Sequence, residues 1–412
     1  MKNYSPYFFS FFRICFGIYL TVHFIQLIPA GRELFSTMGT LPDASLGFTY
    51  KVFPNILSLF SSPSSVSLFL VTAVIFSISF TLGIYRKISA LVLWYLFACL
   101  FNRNLFISNP SIPYVGWMLL ACALIPKGEA SLRNTGSSEL KDWRFPKILY
   151  FGALFLLGWG YSLSGFHKLS SPSWVDGSAI WHLINNPLSR DTFLRNWMIV
   201  LGTSLPVVYK IVTWGVLALE LFSLPLLLWK KSRKWIWLVL VLMHLRIVSI
   251  VDFADLTFGM LLAHLFIFDA EWIPARKRKN KKDLIVFFDG SCGVCNAFVN
   301  FVIQEDKNKV FKFAPLQGST AQKTIDNLNK ESLNTIYLKN ENSELFQKST
   351  AFLEICTDLG GFWRILSYLK WTPKVFRDFI YDLFAKNRHR IIKTQNAACR
   401  IPTPEEMEVF LD

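Results

Sequence analysis

Residues 284–296 read Leu-Ile-Val-Phe-Phe-Asp-Gly-Ser-Cys-Gly-Val-Cys-Asn, and this stretch decides the fold of the C-terminal third of the chain. Its first five residues are apolar, so they predict a short buried strand, and the next three predict a turn. Cys292 and Cys295 then open a helix, because the apolar residues near them recur on one helical face: Ala297, Phe298, Phe301 and Val302. The sequence therefore predicts a strand, a turn and a helix that begins at a Cys-x-x-Cys motif.

The position of this motif suits thiol chemistry. A helix N-terminus carries unpaired N–H groups and a partial positive charge, and both stabilise a thiolate. Cys292 is expected to be the exposed cysteine and is therefore predicted to be the nucleophile, while Cys295, one turn further on, is predicted to close the disulfide. Two alternatives stay open at this point. One is a structural zinc site, which needs four ligands, and the other is an inert pair of thiols.

The segments after the motif continue an α/β pattern. Apolar runs and helical periodicity predict, in chain order, a strand, a helix, a hairpin and three helices: residues 310–313, 320–329, 335–338 with 344–347, 350–359, 362–369 and 374–386. The resulting order βαβαββα predicts a small α/β sandwich.

Two segments of this region resemble one protein family. Residues 289–296 (DGSCGVCN) are similar to the signature of the DCC family of thiol–disulfide oxidoreductases, and residues 381–390 (YDLFAKNRHR) with 399–404 (CRIPTP) are similar to that family's C-terminal end. The resemblance implies a thioredoxin-like domain over residues 284–412. It also implies that Asp289, Cys292 and Cys295 are the functional residues.

Three further residues of the C-terminal tail are candidates for the site. Arg388 and Arg390 are predicted to bind an anion such as a phosphate or a carboxylate, and the alternative is a solvated basic helix end. Cys399 is either a third thiol or an ordinary cysteine without a role in exchange.

Upstream of the motif the composition changes to that of a membrane protein. The chain of 412 residues is 52% hydrophobic and only 17% charged, and its whole net charge of +15 lies in residues 1–282. This balance argues against a single soluble globule and against a nucleic-acid binder, since the basic residues stand between apolar runs. Eight such runs predict about eight spans in an α-helical bundle: residues 7–28, 66–84, 88–107, 112–125, 148–163, 207–229, 235–251 and 253–268.

The predicted organisation is a polytopic membrane domain over residues 1–275, a basic linker over 276–283 and the α/β domain. With the N-terminus inside, the inner loops carry 18 Lys and Arg and the outer loops carry six. The positive-inside rule then predicts an inner or plasma membrane protein with both termini in the cytoplasm. The linker is predicted to touch anionic lipid headgroups, or else it is only a stop-transfer flank.

Polar residues within the apolar runs are costly there, so each suggests a function. The candidates are Arg13, His23, Gln26, Glu220, His244, Arg246, Asp252, Asp255 and His264. The alternative for Glu220 is a structural ion pair with Arg13 or Arg246, and for His244 and His264 it is hydrogen bonding between packed helices.

Lys168 is the most informative polar residue of the membrane domain. It follows the fifth run in a predicted loop, and Trp174 and Trp181 are expected to form aromatic walls around it. Burial of a lysine disfavours its charge, and a neutral amine is a usable base. The alternative is a lysine whose side chain only extends to the membrane interface.

The frame Ser164-Gly-Phe-His-Lys168-Leu, followed by Trp174-Val-Asp-Gly177, resembles the membrane core of the vitamin K-dependent gamma-glutamyl carboxylase and its bacterial relatives, the HTTM proteins. The resemblance implies that Lys168 is a catalytic base. It also implies a ligand site that includes Trp174, His244 and the region of Asn102, with a quinone of the vitamin K type as the ligand.

Three functions follow from these features. The first is a membrane redox enzyme in which a quinone-binding core, with carboxylase- or epoxidase-like chemistry, is coupled to the thiol domain. The second is a membrane-anchored thiol–disulfide oxidoreductase with a non-catalytic core, which needs no cofactor. The third is a transporter or binding protein whose ion path uses Glu220, His244, Asp252 and Asp255. The expected partners are the lipid bilayer, a thiol or disulfide protein and a quinone.

Overall fold

The structure of the protein, a computed structural model, describes residues 4–47, 49–50, 52–129, 140, 142–187, 189–251, 254–277, 284–325, 335–391 and 407–412, and in the last helix the side chains up to Arg388. The chain forms two compact units, which are described separately. The mainly α/β unit comprises Met1–Ser10, Pro126–Phe145 and Asp269–Asp412, and the helical unit comprises Phe11–Ile125 and Pro146–Phe268.

The first two thirds of the chain are almost entirely helical. The helices, in chain order, are α1 (Pro6–Phe35), α2 (Ile56–Leu59), α3 (Pro63–Leu82), α4 (Arg86–Arg103), α5 (Ile112–Leu124), α6 (Lys147–Lys168), α7 (Pro172–Val175), α8 (Ala179–Ile184), α9 (Phe193–Ser204), α10 (Pro206–Leu221), α11 (Ser223–Leu228), α12 (Lys230–Ile250) and α13 (Ala254–Phe266).

Three of these helices, α1, α3 and α6, are long and apolar enough to cross a membrane by length and composition. A fourth candidate is the pair α9 and α10, which are bent by 113° at their junction, and α5 and α13 are shorter apolar helices. Each of the eight predicted runs overlaps a helix, but among the described residues only three or four candidate spans meet these criteria. The number of eight spans therefore stays a prediction.

Two local predictions for the membrane domain are wrong. The segment around Lys168 was expected to be a loop, but α6 continues to Lys168, and α7, α8 and α9 occupy the predicted loop that follows. The sixth run was expected to be one span, but the helix is interrupted between Leu221 and Ser223. Pro225 in the next turn lacks the N–H that would bond to Leu221, which accounts for the break.

Arg13 shows how the helical unit accommodates a buried cation. It is only 2% exposed, and its guanidinium donates a 2.8 Å hydrogen bond to the carbonyl of Phe80 in the last turn of α3. Gly83 ends that helix with φ +75°, and a Cβ there would lie 3.0 Å from the guanidinium carbon. A cation at a helix C-terminus satisfies carbonyls that have no partner within the helix.

The α/β unit contains a four-stranded mixed sheet. Its strands are β1 (Leu284–Phe288), β2 (Phe311–Pro315), β3 (Tyr337–Lys339) and β4 (Leu345–Gln347), in the spatial order β2-β1-β3-β4. β1 pairs parallel with β2 and antiparallel with β3, and β3 pairs antiparallel with β4. Its helices are α14 (Gly293–Glu305), α15 (Ser319–Thr324), α16 (Lys348–Leu359), α17 (Gly361–Leu366) and α18 (Lys374–Ile391).

Helices cover both faces of this sheet. Val286 of β1 lies in a buried cluster with Val299 of α14 and Ile355 of α16. The next residue, Phe287, points to the opposite face and packs with Ala321 of α15. The predicted α/β sandwich and its element order are therefore confirmed in the described residues, with boundaries that differ by a few positions. The predicted domain limits of the whole chain stay a prediction.

Candidate active site

The two cysteines of the motif lie at the start of α14, which follows β1 along the chain. Cys292 is the N-cap residue with extended backbone angles, φ −99° and ψ 120°, and α14 begins at Gly293. The N–H of Asn296 donates to the carbonyl of Cys292 over 3.0 Å, and the N–H of Cys292 donates to the carbonyl of Asp289 over 3.2 Å. The strand and the turn therefore hold Cys292 against free helical N–H groups.

This environment favours the thiolate of Cys292. Hydrogen bonding from the Cys295 thiol is the main cause that lowers the pKa of Cys292, and the N–H groups of Cys295 and Val294 and the charge of Arg388 act in the same direction. The expectation that Cys292 is the exposed cysteine is wrong, because it is only 1% exposed, and this burial acts against the lowering of its pKa. The pKa of Cys295 is raised, because its thiol donates to Cys292 and because it is buried. The two shifts favour a thiolate at Cys292 and a protonated thiol at Cys295.

A buried ion pair adjoins the motif. Arg388 of α18 donates to Asp289 Oδ2 over 2.8 Å, and the two residues are 3% and 5% exposed. The other oxygen, Oδ1, accepts from the Ser291 N–H and hydroxyl and from the Gln317 side chain, which is 2.9 Å away. The carboxylate is thus fully engaged, and the guanidinium remains close enough to stabilise the Cys292 thiolate. Arg388 is the buried partner of a carboxylate here, not a solvated helix end.

Among the described residues, this unit has one further cysteine, Cys356, and the remaining sequence candidates lie outside the described residues. Cys356 of α16 is fully buried, and burial raises its pKa to about 12. The side chain of Arg390, and Cys399 as a whole, lie outside the described residues. Within the described part of the chain, no group of three or more His, Cys, Asp and Glu residues is placed to hold a metal ion.

The part of the basic linker that is described makes protein contacts. Arg276 donates a 2.9 Å hydrogen bond to Glu354 of α16, and its Nε lies 3.8 Å from the carboxylate of Asp358. Lys370 binds the other oxygen of Glu354 at 2.7 Å. Arg276 thus joins an ion-pair network within its own unit, whereas Lys279, Lys281 and Lys282 lie outside the described residues.

In the helical unit Lys168 is placed at the end of α6 beside a carboxylate. Its ammonium forms an ion pair with Glu220 of α10, donates to the Ser164 hydroxyl over 3.1 Å and lies 4.8 Å from the ring centre of Trp174. The predicted aromatic wall of Trp174 is present, whereas Trp181 packs edge-on against Tyr209. The prediction that Glu220 pairs with Arg13 or Arg246 is wrong, because Glu220 pairs with Lys168.

The other candidates of the helical unit fall into separate places. His244 accepts or donates a 2.6 Å hydrogen bond with the Tyr161 hydroxyl, and His264 makes a 2.9 Å bond with the same hydroxyl. These bonds join packed helices, as the alternative for the two histidines expected, and a ligand role for His244 stays a prediction. Asn102 donates to the carbonyl of Ala98 in its own helix over 2.8 Å. Asp252 lies outside the described residues.

A cavity of about 1060 Å³ lies among α8, α9, α10 and α12 of this unit. Its walls are almost wholly apolar, and they include Trp197, Met243 and a single charged residue, Arg246. Lys168, Trp174, His244 and Asn102 are absent from its lining. The volume suits a long apolar molecule, but the residues that the resemblance assigns to a quinone do not surround it.

Several of the pairings between site residues could not be found from the sequence. The partners that position Asp289 and Lys168, namely Arg388 and Glu220, lie 99 and 52 residues away along the chain. Gln317, which binds Asp289, stands in a plain turn after β2 and gives no local signal. Arg388 and Glu220 did attract attention as charges in apolar or motif-bearing segments, but the pairings needed the fold.

Comparison with known proteins gives two family matches. Residues 2–272, about two thirds of the chain, match the family described as HTTM domain, and residues 286–394 match the family described as DCC1-like thiol-disulfide oxidoreductase. The resemblances to the HTTM and DCC families are therefore confirmed, whereas carboxylase-like chemistry and a vitamin K-type ligand stay predictions.

Two curated relatives are similar to parts of this chain. The uncharacterized protein YuxK of Bacillus subtilis (strain 168) is 33% identical over 131 residues, which are 31% of this chain and 93% of that protein. A chloroplastic DCC family protein of Arabidopsis thaliana is 32% identical over 108 residues, 26% of this chain and 62% of that protein. No solved structure matches the chain significantly.

Proposed function

Because this chain belongs to the HTTM family and carries a DCC1-like thiol–disulfide oxidoreductase domain after it, we propose that it is a membrane protein whose Cys292–Cys295 pair exchanges disulfides with a partner protein. The observation that carries this proposal is the position of Cys292 at the N-cap of α14, with Cys295 in the first turn of the same helix, where the pKa of Cys292 is lowered. A nucleophile and its resolving thiol are thus adjacent and in the correct protonation states.

The exchange proceeds in two steps. The Cys292 thiolate attacks one sulfur of a substrate disulfide, a mixed disulfide forms, and the other substrate sulfur leaves as a thiolate that takes up a proton. Cys295 then loses its proton and attacks the Cys292 sulfur, which releases the second substrate sulfur. The substrate gains two electrons and the Cys292–Cys295 pair becomes a disulfide. A dithiol protein or low-molecular-weight thiol must reduce this disulfide before the next cycle.

Asp289 and Arg388 act as positioning residues in this proposal. The carboxylate fixes the turn before Cys292 through Ser291, and it orients the guanidinium whose charge favours the thiolate. Since both members of the pair are buried, neither is expected to bind a substrate anion directly. The element order and the mixed sheet support the thioredoxin-like fold that the DCC resemblance implies.

The placement of the thiol domain in the cytoplasm rests on the charge bias of the loops. The apolar helices and the HTTM match support a membrane location. A quinone-type ligand of the core remains a proposal. The cavity of about 1060 Å³ supports an apolar ligand, but Lys168 does not line it and is paired with Glu220. We therefore assign no carboxylase- or epoxidase-like step to Lys168.

A thiol-trapping titration on native membranes tests the proposal. Cys292 and Cys295 are tagged with a mass-shifting alkylating reagent after equilibration with defined thiol–disulfide buffers, and again after addition of oxidised or reduced quinone. The variants are Lys168→Ala and, as the control, Lys147→Ala at the exposed start of the same helix.

Reversible oxidation of the pair by thiol–disulfide buffers supports the exchange function. A response to quinone that Lys168→Ala removes and Lys147→Ala retains supports a coupled membrane redox enzyme. Oxidation of the pair that does not depend on quinone supports an independent oxidoreductase on a membrane anchor. A pair that stays reduced under all buffers contradicts the proposed function.

A further inference from the structure

Three side chains converge on the carboxylate of Asp255 at the start of α13. The Tyr19 hydroxyl donates to Oδ1 over 2.9 Å, His23 Nδ1 lies 2.9 Å from the same oxygen, and Asn109 Nδ2 donates to Oδ2 over 2.8 Å. Tyr19 and His23 are one turn apart on α1, and Asn109 stands just before α5. All four residues belong to the helical unit, and none of them has a role in the thiol exchange.

The contact with Asp255 fixes the orientation of the His23 ring. A carboxylate accepts hydrogen bonds, so this contact places an N–H on Nδ1, and in the neutral imidazole the lone pair is then on Nε2. Among the described residues, no side chain or backbone group bonds to Nε2. The ring is also held between aromatic neighbours, since its centre lies 5.5 Å from that of Phe97 and 5.9 Å from that of Tyr19.

His23 and Asp255 line a cavity of about 430 Å³ that is mostly apolar. Its other walls include Ile18, Val22 and Phe258, and Gln26 and Tyr19 are its further polar side chains. Small-molecule sites commonly have volumes of roughly 300–1,000 Å³, apolar walls and a few convergent polar groups. An oriented acceptor nitrogen at the wall of such a cavity is therefore a recognition group for a hydrogen-bond donor on an apolar molecule.

The surroundings of the cluster are built to keep this geometry. Asn109 is 7% exposed, and its side-chain oxygen accepts from both the N–H and the hydroxyl of Ser111. A Cβ at Gly259 would lie 2.5 Å from the Ser111 hydroxyl, so only glycine lets α13 approach this close. The amide that holds Asp255 is thus itself fixed by a second layer of contacts.

We propose that the cavity beside His23 binds an apolar molecule with a hydroxyl head group, and that the hydroxyl donates a hydrogen bond to His23 Nε2. Asp255 positions the imidazole, and the apolar walls receive the hydrocarbon part. Two sources carry this chemistry, a long-chain alcohol of the lipid phase and a phenolic compound. The site is separate from the thiol pair and from Lys168.

Cys15 provides a reporter inside the same cavity, which it lines. The full-length protein in lipid nanodiscs is treated with methyl methanethiosulfonate, and the modification of the Cys15 peptide is followed by mass spectrometry. The probes are 1-decanol, 4-hexylphenol and decyl methyl ether, which lacks the donor. The variants are His23→Leu, His23→Lys, and Gln26→Leu as the matched control on the same cavity wall.

In the wild type, decanol or hexylphenol is expected to protect Cys15 at a concentration about threefold to tenfold lower than the ether, the worth of one neutral hydrogen bond. The preference disappears in His23→Leu and persists in Gln26→Leu. His23→Lys keeps a donor for Asp255 but has no acceptor. It is therefore also expected to lose the preference, and it keeps the test decisive if the leucine variant does not fold. Protection by the phenol alone identifies a phenolic ligand, and protection by both admits lipid alcohols. Equal protection by the ether, or a preference that survives in both His23 variants, overturns the proposal.

Discussion

Each compact unit contains a buried ion pair, and the two pairs have different consequences. In the α/β unit, Asp289 and Arg388 are 2.8 Å apart and nearly inaccessible, and the reactive thiol is a third group beside them. In the helical unit, Lys168, the predicted base, is itself one member of the pair with Glu220. In the first arrangement the nucleophile stays outside the ion pair, and the charge of Arg388 lowers its pKa. The second engages the very amine that was expected to react.

The difference teaches how to judge a buried charge. A charge next to a reactive group shifts the protonation equilibrium of that group. A reactive group inside an ion pair must first separate from its partner, and this costs free energy because the carboxylate is then buried without a cation. The thiol pair therefore has a direct chemical interpretation, whereas the role of Lys168 as a base stays a prediction that requires its separation from Glu220.

The largest effect is expected at the thiols. Cys292→Ser should reduce disulfide exchange by more than about a thousandfold, because a hydroxyl is not ionised at neutral pH and no second nucleophile replaces it. Insulin reduction by the full-length protein in nanodiscs measures the loss. Cys356→Ala is the matched control, since that thiol is buried in α16 with a raised pKa, and exchange should be unchanged. Equal losses in both variants would contradict the assignment.

The second-largest effect is expected when the Asp289–Arg388 ion pair of the α/β unit is broken. Arg388→Gln leaves Asp289 buried without its cation, which should destabilise this unit by about 3–5 kcal/mol. Pulse proteolysis in urea, with fragments assigned to each unit by mass spectrometry, measures this change. The double variant Asp289→Asn, Arg388→Gln removes both charges and should recover most of the loss. No recovery would mean that Arg388 acts through packing alone.

The same charge predicts a pH effect on the thiol. In the wild type the pKa of Cys292 is lower than that of an ordinary thiol, about 8.5, so iodoacetamide should still alkylate it rapidly below that pH. In the double variant the thiolate loses the guanidinium charge, and the pKa of Cys292 should rise. The pH at which the alkylation rate falls to half should therefore be higher in the double variant. An unchanged pH profile would assign the low pKa to the helix start and Cys295.

The ion pair of the helical unit should be the weaker of the two. The side chain of Lys168 is 22% exposed and that of Glu220 is 7% exposed. Lys168→Met should therefore cost about 1–3 kcal/mol, less than Arg388→Gln, in the same proteolysis assay. Lys168→Arg keeps the charge and should cost less than Lys168→Met. A larger loss in Lys168→Met than in Arg388→Gln would reverse the comparison of the two units.

The sequence was informative where the signal was local. The strand–turn–helix around Cys292 was predicted because its apolar periodicity and its thiols all lie between residues 284 and 302. The pairing of Lys168 with Glu220, and the convergence of His23 and Asn109 on Asp255, depend on helix packing that no short window contains. Even the helical state of Lys168 was missed, because Ser164 and Gly165 resemble a loop unless the contacts of α6 are known.

The smallest effect concerns the hydroxyl that joins two histidines. Tyr161→Phe removes bonds of 2.6 Å and 2.9 Å to His244 and His264, yet hydrogen bonds between membrane helices average only about 0.6 kcal/mol each. The free energy of unfolding is therefore expected to fall by about 1 kcal/mol, and the alkylation rate of Cys292 should not change. Tyr114→Phe is the control, because its hydroxyl makes a single long bond of 3.4 Å to the carbonyl of Leu156. A loss of disulfide exchange in Tyr161→Phe at intact stability would instead tie this histidine pair to the redox chemistry, and the two units would then no longer act independently.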